Sequence, residues 1–236
     1  MEFGLNIKNS WSSIKHYRRQ MKFLYLLCSM IFLIVVSPFL QHGVGSEILL
    51  IFMVTAVLLS AINSVSDKRT HLIVACLLAA PWFVTSVATT LFGTLYPEFY
   101  EALFGSLFFT YTTVLIFSHV LKDKKVTSDT LYGAICVYIL IGLTWSFFYV
   151  LIATTSHDAF HINPANNLDN IINWHDLTYF SFVTLTTLGY GDITPVAPIA
   201  RPITILEAIV GPIYLTIIIA RLVGLYISGT FLTKGK

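Results

Sequence analysis

Six apolar runs constrain this chain more than any other feature: 23–40, 47–63, 71–91, 102–121, 130–153 and 199–228. A helix needs about 20 predominantly apolar residues to cross the hydrocarbon core of a bilayer. A soluble core could bury one such run, but not six in 236 residues. Only 11% of the residues are charged, against about 25% in a typical soluble domain. The expected fold class is therefore all-α and integral to a membrane. The first run is read as a membrane helix rather than a signal peptide, because "VVSPFLQHGVG" offers no clear small-x-small cleavage site. Cys28, Cys76 and Cys136 each lie inside an apolar run, so they read as small buried hydrophobes rather than disulfide partners or metal ligands.

The basic residues set the orientation. Lys8, Lys15, Arg18, Arg19 and Lys22 precede the first span, Lys68 and Arg69 follow the second, Lys122, Lys124 and Lys125 follow the fourth, and Lys234 and Lys236 follow the sixth. The connections between carry none. Both termini are expected in the cytoplasm, and the connection between the fifth and sixth spans enters from outside. That connection, 154–198, is too long for a turn. Its first part is polar and reads as an exposed loop. Residues 175–187 then form a segment too short to span but suited to a half-depth helix, with Asn173 as N-cap and Asp176 in the first turn, where negative charge suits the helix dipole.

After that helix the chain must return through "TTLGYGD", residues 186–192. Irregular backbone at membrane depth survives only when buried in protein or lining a water-filled path. Gly189 and Gly191 can take positive φ. Alternating backbone hands would turn successive carbonyl oxygens the same way, and those oxygens can replace the hydration shell of a cation if several chains converge on one axis.

"TTLGYGD" resembles the selectivity filter of the tetrameric pore-loop potassium channels, whose usual form is TVGYG followed by Asp. Leu188 departs from it, standing where Val or Ile is commoner; only the carbonyl of that position faces the ion. The resemblance covers 130–228 well and the first four spans only in number and orientation. It implies a bacterial-type subunit of the inner (plasma) membrane with a cytoplasmic N-terminal segment at 1–22, a four-helix sensor-like bundle at 23–121 and a two-helix pore domain at 130–230. In the pore domain the outer helix is 130–153, the re-entrant pore helix 175–187, the filter 187–191 and the inner helix 199–228. It implies a homotetramer, since one filter segment cannot encircle an ion. K+ would be held at Thr187, Leu188, Gly189 and Tyr190, with Gly191 closing the filter. No organic cofactor and no enzymatic activity are implied.

The resemblance also assigns supporting roles. Thr186 and Val183 pack behind the filter, and Tyr190 turns its ring away from the ion. Asp192 at the outer mouth accepts a hydrogen bond from Tyr179, which stands where Trp is more usual. Gly211 lies nineteen residues after Asp192, at the family's hinge position, and Pro212 follows it. Either the pair bends the inner helix near an inner gate, or the helix merely tolerates it. Leu215, Thr216 and Ile219, with Pro212, would face the cavity. Glu207 is an acid well inside a span, hence a functional candidate. It either supports the pore helix from behind or is a protonated or hydrogen-bonded structural carboxyl.

A voltage sensor needs a basic ladder on its fourth span. The run 102–121 has none; His119 is its one ionisable group. No gating by a charged fourth helix is expected, and the short linker "KDKKVTSDT" favours a bundle packed on its own pore subunit. The N-terminal segment places Ile7, Trp11 and Ile14 at helical spacing beside basic residues. It reads equally as an interfacial helix on anionic lipid or as a disordered basic tail. His157 and His161 are two possible ligands without a third, a weak metal signal. The competing functions are a potassium transporter, which would carry four degenerate pore repeats, a less selective cation channel, a non-conducting partner of other pore subunits, and a membrane enzyme, for which no His pair, acid cluster or thiol pair occurs at membrane depth.

Overall fold

The computed structural model describes residues 22–40, 44–65, 69–92, 95–123, 126–156, 158–163 and 172–234. The reading of 1–22 as an interfacial segment therefore lies, but for Lys22, outside the described residues, as does His157 of the histidine pair. The chain runs through α1 (Lys22–Val36), a 3-10 turn (Ser37–Leu40), α2 (Val44–Val65), α3 (Arg69–Phe92), α4 (Leu95–Lys122) and α5 (Ser128–Thr155). Then come β1 (Phe160–Ile162), α6 (Trp174–Leu185), β2 (Ile193–Pro195) and α7 (Ala200–Lys234). Among the described residues, four helical stretches are long and apolar enough to cross a membrane: Arg69–Phe92, Glu98–Lys122, Ser128–Thr155 and Ala200–Ile227. Lys22–Val36 and Ile48–Ile62 are apolar but shorter. The first run breaks where Pro38 removes a backbone N–H, and a 3-10 turn replaces the last helical turn.

α5 is the central element, packing on α1, α4, α6 and α7. α1 turns Phe23, Leu26, Leu27, Met30 and Leu33 inward, a helical spacing that makes one buried stripe. Between α3, α4 and α5 lies an aromatic core: Trp82 stacks on Phe108 at 5.7 Å, and Phe109 meets Phe147 at 4.8 Å. Gly105 makes this possible, because a Cβ there would stand 2.6 Å from the Phe147 ring. Several hydroxyls inside the spans bond back to their own helices, while Ser86 Oγ and Thr110 Oγ1 are buried with no partner among the described residues. Thr112 donates to the Phe108 carbonyl at 2.8 Å and Thr144 to that of Leu140 at 2.7 Å, so they are satisfied where no water reaches.

Side chains also tie down the helix ends. Thr127 caps α5 by accepting from the Thr130 N–H at 3.2 Å. Asp129 Oδ1 accepts the Phe23 N–H at 2.9 Å, satisfying one of the unpaired donors of the α1 first turn. α7 uses one stripe for packing, with Gly211, Tyr214 and Ile218 buried, and leaves Ile205, Ile209, Ile213 and Ile217 exposed. An apolar helix this exposed requires lipid or another chain around it.

Candidate ion-conducting site

The site is built on α6. Asn173 and Asp176 form a capping box: Asn173 Oδ1 accepts from the N–H groups of His175 (2.8 Å) and Asp176 (3.1 Å), and Asp176 Oδ2 accepts from the Asn173 N–H at 3.0 Å. Three otherwise unpaired donors at the start of the helix are satisfied, those of Asn173 and Asp176 reciprocally. The helix spans 174–185, displaced slightly toward the N-terminus from the expected 175–187. Leu177, Phe180, Ser181, Val183 and Leu185 are buried against the rest of the chain. Gly142 of α5 receives the Phe182 ring, which a Cβ there would meet at 2.8 Å.

At the end of α6 the backbone changes hand at every second residue. Thr187, Gly189 and Gly191 have φ of 60°, 59° and 76°. Thr187 is β-branched, a residue type for which this region is an outlier, so local strain is held here. The N–H groups fold back onto α6: Thr187 donates to the Thr184 carbonyl at 2.9 Å, and Leu188 (2.9 Å) and Gly189 (3.3 Å) both donate to that of Val183. A trans peptide sets its C=O opposite its N–H. The carbonyls of Thr186, Thr187 and Leu188 therefore point away from α6. Among the described residues, no intrachain hydrogen bond ends on the carbonyl oxygens of Thr187, Leu188, Gly189 or Tyr190. Residues 186–191 are all exposed in the single chain.

The strand is anchored at both ends. Inside, Val183 is buried beneath it, and Thr186 Oγ1 donates to the Phe182 carbonyl at 2.6 Å. Outside, Asp192 is held by three partners. Its Oδ2 accepts the Tyr179 hydroxyl at 2.7 Å, its Oδ1 accepts the Ile193 N–H at 3.0 Å, and its carbonyl accepts the Asn163 N–H at 2.9 Å. Donation to the Asp192 carboxylate pushes the Tyr179 phenol up to about 12, so the phenol keeps the proton it donates at physiological pH. β1 and β2 extend the clasp as an antiparallel pair, Phe160 opposite Pro195 and Ile162 opposite Ile193. Sequence reasoning left β1 inside a polar loop, since three residues are too few to show a period.

Behind α6, Glu207 of α7 is fully buried and bonded to Tyr149 and to Ser181 (2.5 Å). Gly211 is also buried, and a Cβ on it would collide with the Leu185 carbonyl oxygen at the end of α6. That same oxygen accepts the Tyr138 hydroxyl at 3.2 Å. Gly211 thus has a packing role beside the flexibility read from sequence, and α7 is continuous through Gly211 and Pro212. Pro212, Leu215, Thr216 and Ile219 share an exposed face of α7, with Thr216 Oγ1 on the Pro212 carbonyl at 2.8 Å.

Sequence reasoning missed Tyr138, Tyr149, Ser181 and Tyr214, hydroxyls that link helices far apart in the chain; Tyr214 donates to the Ala134 carbonyl at 2.6 Å. Read from sequence alone, Arg221 lies ten residues beyond Gly211 and is a cation expected to snorkel to the inner headgroups. The Arg221 guanidinium donates to the carbonyl of Leu121 and, at 3.0 Å, to that of Asp123, capping the end of α4. Among the described residues, no group of three or more His, Cys, Asp or Glu could hold a metal ion.

A half-length helix, a strand of unbonded outward carbonyls and two long flanking helices define a pore-loop ion channel. Residues 135–228 match the family model described as "Ion channel", and the chain belongs to this pore-loop channel family. Protein LctB of Geobacillus stearothermophilus is 31% identical over 112 residues, covering 47% of this chain and 83% of that protein. Protein LctB of Bacillus caldotenax is 30% identical over 105 residues, covering 44% and 78%. No solved structure is significantly similar.

Proposed function

We propose that the protein is a subunit of a homotetrameric, potassium-selective channel that conducts K+ passively, its four N-terminal spans forming a bundle beside the pore module α5–α7. One observation carries the reading. The backbone alternates hand at Thr187, Gly189 and Gly191, and the carbonyls of Thr187 to Tyr190 have no partner within the chain. Carbonyl oxygens need partners, and rings of them from several chains are what a dehydrated cation requires. The residues present suit K+ as the permeant ion. The "GYG" strand supports this reading over a less selective cation pore. The test is ion flux from the purified protein alone in liposomes. K+ and Rb+ should pass much faster than Na+. Equal Na+ and K+ flux would remove the selectivity, and no flux at all would leave the non-conducting partner.

The same reading has no place for voltage sensing by a charged helix, because α4 carries no Lys or Arg before Lys122. Work in the membrane field is about 2.3 kcal/mol per elementary charge per 100 mV, so a sensor without charges supplies none. Planar-bilayer recordings should show no gating-charge movement and a shallow conductance–voltage relation. An open probability that climbs roughly tenfold over a few tens of millivolts would need about one full gating charge or more, and would overturn this. The distribution of Lys and Arg supports both termini on the cytoplasmic side, and the resemblance to bacterial-type subunits supports an inner-membrane location; the basic N-terminal segment suits either an interfacial helix on anionic lipid or a disordered tail.

A further inference from the structure

Three buried polar side chains from three helices meet behind the pore helix: Tyr149 of α5, Ser181 of α6 and Glu207 of α7, each 0% exposed. Tyr149 bonds to Glu207 Oε2. Ser181 Oγ lies 2.5 Å from Glu207 Oε1 and 2.8 Å from the Gly142 carbonyl oxygen. The hydrogens in this cluster can be counted. A serine hydroxyl carries one, a carbonyl oxygen none, and an ionised carboxylate only accepts. With Glu207 ionised, the single hydrogen of Ser181 faces two acceptors, and one pair of oxygens stays in close contact with no hydrogen between them. With Glu207 protonated, Oε1–H donates to Ser181, Ser181 donates to Gly142, and Tyr149 donates to Oε2. Three hydrogens then make three bonds.

The surroundings agree with that count. The groups facing the carboxyl are hydroxyls: Tyr149 and Tyr138 from α5, Ser181 from α6, and Thr204 beside Tyr149 one turn earlier on α7. Among the described residues, no Lys, Arg or His bonds to Glu207. A buried carboxylate without a cation is disfavoured, and a neutral acid with every hydrogen bond made is not.

We infer that Glu207 is a neutral carboxylic acid at physiological pH and acts as a positioning residue, its proton joining the inner helix to the pore helix and, through Ser181, to the outer helix. The inference deepens the channel reading, since the helix it holds carries the filter. Glutamine provides the discriminating variant, because its amide N–H donates and its carbonyl accepts. It can reproduce the bonds of the neutral acid but not those of a carboxylate.

The experiment is infrared difference spectroscopy of the full-length protein in lipid nanodiscs, paired with K+ flux from liposomes. At neutral pH the wild-type spectrum minus that of Glu207→Gln should contain the C=O stretch of a protonated carboxyl, and Ser181→Ala should shift that band. Glu207→Gln should keep flux within about threefold, whereas Glu207→Leu, which leaves Tyr149 and Ser181 unpartnered, should lose roughly tenfold or more. Should the leucine variant fail to fold, Ser181→Ala and the band carry the test. Absence of the band, or a glutamine variant as damaged as the leucine one, overturns the inference. The band does not depend on conduction, so a wild-type protein that shows the band but passes no ions would refute the channel reading and leave the neutral acid standing.

Discussion

Replacing Gly189 by alanine is expected to abolish selective K+ flux while leaving expression and assembly largely intact. A Cβ at this position meets nothing within 4 Å in the single chain, so no collision is involved. The penalty lies in the backbone, where φ is +59°. An L-residue held in that region costs about 1–2 kcal/mol, and the four copies of the proposed homotetramer would raise it to roughly 4–8 kcal/mol. In the proposed homotetramer, relaxation to negative φ would turn a carbonyl away from the axis in every subunit and open the ring of acceptors. Liposome flux with K+, Rb+ and Na+ measures the effect. Undiminished, selective K+ flux in the variant would mean that the alternation of backbone hand is not what selects the ion.

Gly211→Ala is expected to be severe for a different reason. Its methyl group would enter space held by the Leu185 carbonyl oxygen, so α7 or the end of α6 must shift. Overpacking of this kind typically costs about 1–3 kcal/mol, and the Tyr138 hydroxyl bond to the same oxygen is strained with it. The displaced element leads directly into residues 187–191, the proposed filter, so the variant should lose thermal stability and K+ flux together, and selectivity with them. Pro212→Ala touches no such junction, because Pro212 is exposed. It tests the hinge expected from sequence: if Pro212 sets the course of the inner helix near a gate, the variant should lower open probability in single-channel records and leave K+ over Na+ selectivity unchanged. If Gly211→Ala matches wild type in stability and flux, the contact with Leu185 is not tight in the assembled protein.

The contrast between these two residues illustrates what could be read from the chain. Six helices follow from six apolar runs, because length and hydropathy act locally. The pore-helix cap was legible too, since Asn173 and Asp176 lie three residues apart. Gly189 and Gly191 announced an unusual backbone. The participation of Thr187 in the same alternation was not legible, as nothing in a threonine signals positive φ. Gly211 could be assigned flexibility from sequence, but its contact with Leu185 joins residues from different helices and leaves no local pattern. The same holds for Tyr149, Ser181 and Glu207: Glu207 stood out as an acid in an apolar run, while its partners are ordinary hydroxyls there. Arg221 read as an interfacial cation because its two acceptors are backbone carbonyls a hundred residues away, and every residue has a carbonyl.

The row of carbonyl oxygens without partners makes the folded chain thermodynamically open. In the proposed homotetramer those exposed oxygens would be withdrawn from water and turned to the permeant ion, which would then also be a ligand of the assembly. By mass action a ligand that binds only the assembled state adds RT ln(1 + [L]/Kd), about 2.7 kcal/mol at roughly 100 times Kd. Potassium should then raise the melting temperature of the oligomer in proportion to the logarithm of its concentration, and sodium should not. On that proposal the transported ion and the integrity of the transporter share one equilibrium: removing K+ from both sides of the membrane should stop the current and also loosen the assembly that carries it.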